Sequence, residues 1–317
     1  MPDRLTFQHD RSAQKYLFED RSVRVRAVRL TDTWKAVRAN HEYPPAITHL
    51  LGELVAASTL LAANIKFDGS LVLQIQGDGP IALLVVECRS DLSLRATVKM
   101  REGHDVPVDG NMQSLLNPGG NARFIVVLDP QRKAPGQQAY QGIVPLEGDT
   151  VAEALQHYMK ASEQLDTQLW LAADDEHAAG LLIQRLPVHG GEQAPLLSEQ
   201  AAAETWERAG TLAATLKRDE LLQVEIDTLI HRLYWEETLV AFDPLPVSWH
   251  CPCTRERVAN MLRSLGEAEV QDIVAEHGQV DVTCDFCGKP YRFDAVDCAA
   301  LFTPATPAAD SESPTVH

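Results

Sequence analysis

Two short stretches late in the chain hold cysteines at spacings suited to metal or redox chemistry. "WHCPCTRERV" carries Cys251 and Cys253, and "VTCDFCGKPYRFD" carries Cys284 and Cys287; the chain has only two other cysteines, Cys88 and Cys298. Four thiolates in two close pairs, joined by a spacer able to fold back, match a tetrahedral zinc site made of four cysteines. The second pair has the C-x-x-C-G form of a metal knuckle, in which Gly288 allows the tight turn. The first pair is C-x-C, a departure from the C-x-x-C of zinc ribbons. Unrelated buried thiols would not explain the pairing, and a thioredoxin-like site would need a βαβ setting that "CDFCG" lacks. A purely structural zinc clip stays open on spacing alone. His250 and His277 read as surface histidines, since four cysteines already complete the shell. Cys88, in an apolar strand, and Cys298, in "VDCAALF", read as small buried residues.

A metal would matter energetically. The region 248–303 holds few large apolar groups and is too short to build a firm core without help. Zinc binding contributes roughly 10–16 kcal/mol in small fingers at neutral pH, so the fold there is expected to depend on the ion. Zinc also keeps the sulfurs as thiolates, the form that oxidants attack. Closure of each pair on itself would remove the ligands and leave two tiny loops, which restrain the chain little. A C-x-C bridge is feasible, because Cα atoms two residues apart reach about 7 Å and disulfides span about 4.4–6.8 Å. Four cysteines allow three connectivities, and spacing alone does not choose among them.

The elements that must carry this site follow from patterning. The chain of 317 residues is 45% hydrophobic and 23% charged, enough for two or more domains. "SVRVRAVRL" (22–30) alternates like a half-buried strand. "SLVLQIQGDGPIALLVVECRS" (70–90) reads as a hairpin turning at Gly77-Asp78-Gly79-Pro80. "LSLRATVKM", "RFIVVLDP" and "LLIQRLP" continue a sheet. "PAITHLLGELVAASTLLAANI" (45–65) is a buried core helix more than a membrane span, being Ala-rich and interrupted by His49, Gly52 and Glu53. A second helix opens at Thr150, with Glu153 at capping-box spacing. Strands in runs with few alternating helices predict an α+β fold. The expected organisation is an N-terminal α+β core over residues 1–190 and a helical linker over 191–247. A small C-terminal zinc domain with four cysteine ligands, over 248–303, and a disordered tail over 304–317 complete it. In the linker, Leu222, Ile226, Leu229, Ile230 and Leu233 fall on one helical face that needs a partner surface.

Charge narrows the partners. The formal net charge is −17; from Ser198 onward there are 21 acidic and 9 basic residues, against 24 and 19 before it. An acidic C-terminal part repels phosphate backbones and argues against nucleic acid. The polar start "MPDRLTFQHDRSAQK" shows no signal peptide, which together with the paired thiols points to the reducing cytoplasm.

With these residues in view, the chain resembles the redox-regulated heat shock protein 33 family, the 33 kDa chaperonins, along nearly its whole length. The resemblance is carried by "YLFED" (16–20), "KFDG" (66–69), "QGDGP" (76–80), "YQGIVPLEGDT" (140–150), "SEQL" (162–165) and "RLYWEE" (232–237). To these are added C-x-C and then C-D-F-C-G, followed by Tyr291 and Phe293. The tail after Phe302 and the Ala-rich segment near Ala201 vary from the family pattern, and neither touches the cysteines. The resemblance implies that Cys251, Cys253, Cys284 and Cys287 ligate one Zn2+ when reduced. It further implies that they become the disulfides Cys251–Cys253 and Cys284–Cys287 under oxidants. It implies an ATP-independent holdase that is inactive when reduced and, once oxidised and partly unfolded, binds unfolding client proteins as a homodimer. The linker would fold against the N-terminal sheet in the inactive state.

Two rival classes are weaker. "NPGGNAR" (117–123) could be offered as a phosphate loop, but there is no Walker loop, no G-x-S-x-G and no H-E-x-x-H, so an enzyme is not expected. The carboxylates of "LEGDT" (146–150) read as turn and cap. A zinc-ribbon nucleic-acid binder is the alternative, since Arg255, Arg257, Arg263, Lys289 and Arg292 cluster near the cysteines. They are equally able to offset the charge of a zinc tetrathiolate.

Overall fold

The computed structural model describes residues 10–64, 66, 68–132, 138–187 and 198–303. The expected disordered tail, 304–317, and most of the loop-like stretch "VHGGEQAPLLSEQ" lie outside them. The chain divides into two compact units, Met1–Cys251 and Pro252–His317.

The first unit is built on strands β1 (Asp10–Phe18), β2 (Val23–Leu30), β3 (Gly69–Gln76), β4 (Ile81–Arg89), β5 (Ser93–Met100) and β6 (Arg123–Pro130). They continue as β7 (Tyr140–Pro145), β8 (Thr167–Ala173), β9 (Ala178–Arg185), β10 (Leu239–Ala241) and β11 (Leu245–Trp249). Together they form an 11-stranded sheet in the order β7-β6-β3-β4-β5-β11-β1-β2-β9-β8, with β10 paired to β1. Its helices are α1 (Asp32–Arg38), α2 (Pro45–Ala62), α3 (Met112–Leu116), α4 (Val151–Ser162), α5 (Glu199–Ala213), α6 (Arg218–Gln223) and α7 (Ile226–Leu233). The α+β class is as the patterning predicts.

Local chemistry explains the main elements. In the β3–β4 hairpin, a Cβ on Gly77 would sit 2.2 Å from the Ile81 carbonyl oxygen, and one on Gly79 2.6 Å from that of Leu115, so only glycine fits either place. Asp78 between them accepts from the backbone of Gly119 at 3.2 Å and of Asn121 at 3.0 Å. That contact fastens "NPGGNAR" to the hairpin as a turn, with Asp78 where a phosphate loop would need its anion. Helix α2 starts on Pro45 and is mostly buried. It is the one helix among the described residues long and apolar enough to cross a membrane, and 78% of it lies inside the protein. Helix α4 begins as predicted, with Thr150 Oγ1 accepting from the Glu153 amide at 3.2 Å.

One face of the sheet is covered around α2, and the other is covered over β1, β2, β8 and β9. Trp34, Leu51, Leu54, Leu73, Phe124 and Leu155 belong to one buried cluster around α2. The opposite face, with Tyr16, Val23, Val25, Ala179, Leu181 and Ile183, packs against α5, α6 and α7. This corrects the expectation that the strand at 22–30 is half-buried: Val25 is fully buried on one side, and even Arg26 on the other is only 7% exposed.

The segment after residue 198 departs from its helical reading in two places. The periodic stretch "DELLQVEIDTLIHRLYWEE" breaks into α6 and α7, because Val224 (ψ 136°) and Glu225 (ψ 141°) are extended. Arg29 on β2 accounts for the break: it donates to the Leu222 carbonyl and to the Glu225 carboxylate, both at 2.7 Å. Further on, β10 and β11 lie where no strand is predicted. β11 runs antiparallel to β1 and parallel to β5, with Ser248 opposite Ser93 and Trp249 opposite Leu94. It is thus the strand through which the block led by β5 and the block led by β1 become one sheet.

The second unit contains α8 (Arg255–Leu265), α9 (Glu267–His277), the hairpin β12 (Gln279–Thr283) with β13 (Pro290–Asp294), and α10 (Ala295–Phe302). Its buried hydrophobic core consists of Ala259, Leu262, Val270, Val280, Tyr291, Phe293 and Cys298.

Candidate metal centre

Short-range geometry sets each sulfur. Cys253 directly precedes Thr254, whose hydroxyl caps α8 by accepting from the Arg257 amide at 3.2 Å. Cys284 follows the last residue of β12, and the chain turns back through Cys287 into β13. In that knuckle the Gly288 amide donates to the Cys284 carbonyl at 2.8 Å and the Cys284 amide to the Lys289 carbonyl at 3.0 Å. Gly288 has φ 66°, the left-handed value its sequence position calls for.

The structure brings Cys251, Cys253, Cys284 and Cys287 together, with all four ligand atoms within 4.8 Å of one another. The Sγ atoms of Cys253 and Cys287 are 3.3 Å apart. Metal–sulfur bonds of about 2.3 Å at tetrahedral angles place sulfurs about 3.8 Å apart, so this quartet fits a single metal ion with little adjustment. His250 and His277 are not in the cluster, as expected: the His250 amide donates to Leu94 of the sheet and the His277 ring lies beside Glu276. Cys88 and Cys298 are both buried and take no part in the quartet, Cys298 with its sulfur toward the Phe293 carbonyl at 3.7 Å.

Two polar neighbours of the sulfurs are not singled out by the sequence pattern. The Tyr291 hydroxyl donates to Cys253 Sγ at 3.2 Å. That bond first, then burial and the negative sulfurs around it, push the phenol above its usual range and keep it a donor. Arg95 on β5 hydrogen-bonds Cys251 and is itself held by Glu87 on β4, through Nε at 2.8 Å and Nη2 at 2.5 Å. A guanidinium facing a thiolate stabilises the charged ligand, and its partner carboxylate fixes its direction. The phenol could have been suspected from "CGKPYRF", where alternation in β13 turns Tyr291 inward with Phe293. Arg95 is over 150 residues away in sequence and leaves no such sign. Outer-shell changes typically cost roughly 10–100-fold in metal affinity, so Arg95→Met is expected to lose metal to a chromophoric chelator by that factor. An unchanged competition curve would show that the bond is incidental.

Three of the five basic residues named near the cysteines have polar partners within the unit. Arg255 pairs with Asp297 at 2.7 Å and stacks over Phe293, Arg292 pairs with Asp281 at 3.1 Å, and Arg263 donates to the Leu301 carbonyl at 3.1 Å. Lys289 lies over the Tyr291 ring at 5.4 Å.

The five linker residues chosen for their spacing are buried: Leu222 at 2%, Ile226 at 9%, Leu229 at 3%, Ile230 at 3% and Leu233 at 8% exposure. They share a cluster with Tyr16, Val25, Leu181 and Ile183 of the sheet. Periodicity does not reveal their companions Tyr234, stacked edge-on against Phe18 at 5.4 Å, or Asp227, which accepts from the Tyr16 hydroxyl at 2.6 Å.

A large sheet domain with helices on both faces, together with a small unit whose cysteines are placed to hold a metal, defines the class of protein. Comparison with known proteins gives the class its family. The Hsp33 protein family model matches residues 12–294. The 33 kDa chaperonin of Chromobacterium violaceum is 45% identical over 299 residues, covering 94% of this chain and 96% of that one. The 33 kDa chaperonin of Methylobacillus flagellatus is 46% identical over 290 residues, covering 91% and 93%. In fold, the chain is similar to the crystal structure of the 33 kDa chaperonin (heat shock protein 33 homolog) of Thermotoga maritima. The TM-score is 0.72 at 22% identity, over 92% of this chain and 97% of that one. The chain belongs to the Hsp33 family. Membership supports a chaperone function and sets the protein apart from enzymes.

Proposed function

We propose that the protein is a redox-regulated, ATP-independent holdase, silent while reduced and zinc-bound and active once its cysteines are oxidised. The observation that carries this reading is the convergence of four sulfurs within 4.8 Å in a chain whose second unit has only a small buried core. Four thiolates are the donor set of a structural Zn2+, which supplies a cross-link worth roughly 10–16 kcal/mol. Cys251, Cys253, Cys284 and Cys287 hold it, with Tyr291 and Arg95 hydrogen-bonded to two of the sulfurs.

Oxidation replaces that cross-link by local bonds. One thiolate of a pair attacks a hydroperoxide and becomes a sulfenic acid; its neighbour displaces the oxygen as hydroxide and closes the disulfide. Each closure passes two electrons to the peroxide, whose two oxygens leave as hydroxide and take up protons. All three pairings are within reach of the clustered sulfurs. The family pattern favours Cys251–Cys253 and Cys284–Cys287, and these close loops of three and four residues. Such loops restrain an unfolded chain by less than about 2 kcal/mol each, far below the lost metal. The second unit then unfolds, the linker helices α5, α6 and α7 detach from the sheet, and the apolar face around Leu181 and Ile183 becomes available to unfolding clients. The active form is a homodimer in the cytoplasm that engages neither membrane nor nucleic acid. Against the rival zinc-ribbon reading, Arg255 and Arg292 are ion-paired within the unit, to Asp297 and Asp281.

Aggregation of an unfolding client, followed with reduced and with peroxide-treated protein while released zinc is measured in parallel, tests the reading. Protection is expected only after treatment, together with about one zinc per chain. Equal protection before and after would end it.

A further inference from the structure

Four cations converge at one end of β2 where, among the described residues, no carboxylate pairs with them. Arg24 and Arg26 are two residues apart on the strand and therefore share a face. Lys15 stands directly opposite Arg26 in the β1–β2 pair. The end of α2 covers this place, and Lys66 follows it in sequence. Both guanidinium groups donate to a single atom, Asn64 Oδ1, Arg24 through Nη1 at 2.6 Å and Arg26 through Nε at 2.7 Å. Among the described residues, none of the four forms an ion pair, although the chain as a whole carries a formal charge of −17.

The arrangement is electrostatically costly. Burial first, and the Arg24 charge second, pull the Arg26 guanidinium down to about 10. Burial, then Arg26, Arg24 and Lys66, lower the Lys15 ammonium as well. The carbonyl end of α2 offers roughly half a negative charge, which offsets only a small part of four cations. Buried charges are otherwise found with partners, and neighbouring guanidinium forks match the oxygens of a tetrahedral oxyanion. Asn64 Oδ1, shared by both forks, stands where one such oxygen would lie, and Lys66 is the most exposed of the four cations. Lys15 is steadied by the Phe242 ring, 4.0 Å from its ammonium.

We propose that Lys15, Arg24, Arg26 and Lys66 form a binding site for a small multivalent oxyanion of the phosphate type, one of whose oxygens takes the place of Asn64 Oδ1. It is separate from the cysteine cluster and does not depend on the redox reading.

Calorimetric titration of the reduced, zinc-loaded full-length protein tests it, with inorganic phosphate, pyrophosphate and a nucleoside diphosphate as probes at matched ionic strength. One site per chain is expected, with pyrophosphate at least tenfold tighter than phosphate and the nucleotide no tighter than pyrophosphate. The paired change Lys15→Gln with Lys66→Gln is expected to weaken pyrophosphate at least tenfold. Arg24→Gln should weaken it similarly, and thermal melting of each variant checks that the fold is intact. Absence of binding heat, affinity unchanged in folded variants, or affinity confined to the nucleotide would each overturn the assignment.

Discussion

Removing the metal under reducing conditions is expected to unfold residues 252–303 while the sheet domain stays folded. Among the described residues the second unit buries seven hydrophobic side chains, and the largest are Tyr291 and Phe293 beside the cysteine knuckle. A structural zinc contributes roughly 10–16 kcal/mol at neutral pH, which is as large as the whole stability of an ordinary domain, about 5–15 kcal/mol. No rearrangement of so small a core replaces that. The sheet domain has its own cluster around α2, from Trp34 to Leu155, in which none of the four cysteines takes part. Hydrogen exchange read by mass spectrometry separates the two outcomes. In the chelated protein, and in Cys284→Ser and Cys287→Ser chains, peptides from α8 to α10 should exchange within the shortest labelling time. Peptides from β3 and β4 should keep their protection. Cys88→Ser and Cys298→Ser should retain a full zinc equivalent. If the metal-free protein protects α8–α10 as well as the loaded one, the ion is an ornament on a unit that folds unaided.

The sequence revealed the cysteine quartet because its information is local. C-x-C and C-x-x-C-G set their sulfurs through turns of a few residues, and Gly288 occupies the left-handed position that the second motif demands. The hairpin at Gly77–Gly79 and the cap at Thr150 were legible for the same reason. What escaped depends on residues distant in sequence. β11 carries Pro246 and follows Pro244, both poor strand signals. It is a strand because β1 and β5 lie on either side, and Pro246 falls where the register with β1 shifts between Arg11 and Ala13. The break between α6 and α7 likewise has no breaker of its own; Arg29, from a strand nearly two hundred residues earlier, captures the Leu222 carbonyl and the Glu225 carboxylate there. The apolar stripe survived the break, since the five leucines and isoleucines still reach one surface. Periodicity thus reported the buried face correctly and the continuity of the helix wrongly.

Leu229→Asp is expected to make the protein protective while it is still reduced and zinc-bound. Leu229 is 3% exposed and packs among side chains of β1, β2 and β9 on the face opposite α2. Truncating such a leucine costs roughly 2–5 kcal/mol, and a carboxylate in its place adds the penalty of an unpaired buried charge. Helix α7 has eight residues, too few to persist in water without that surface. The loss therefore falls on the docking of α6 and α7, while the core around α2 keeps its own contacts. Leu233→Asp should act the same way. His231→Asp provides the control, because His231 lies exposed on the other side of the same helix and its variant should remain as silent as the parent. Client aggregation and zinc content are measured on the same reduced samples. A Leu229→Asp chain that holds its zinc, exchanges freely across α7 and still fails to protect a client would show that the linker does not mask the binding surface. Protection confined to Leu229→Asp and Leu233→Asp, with zinc retained, would separate the brake from the redox trigger: the thiolates decide when the linker lets go, and the apolar face beneath it does the binding.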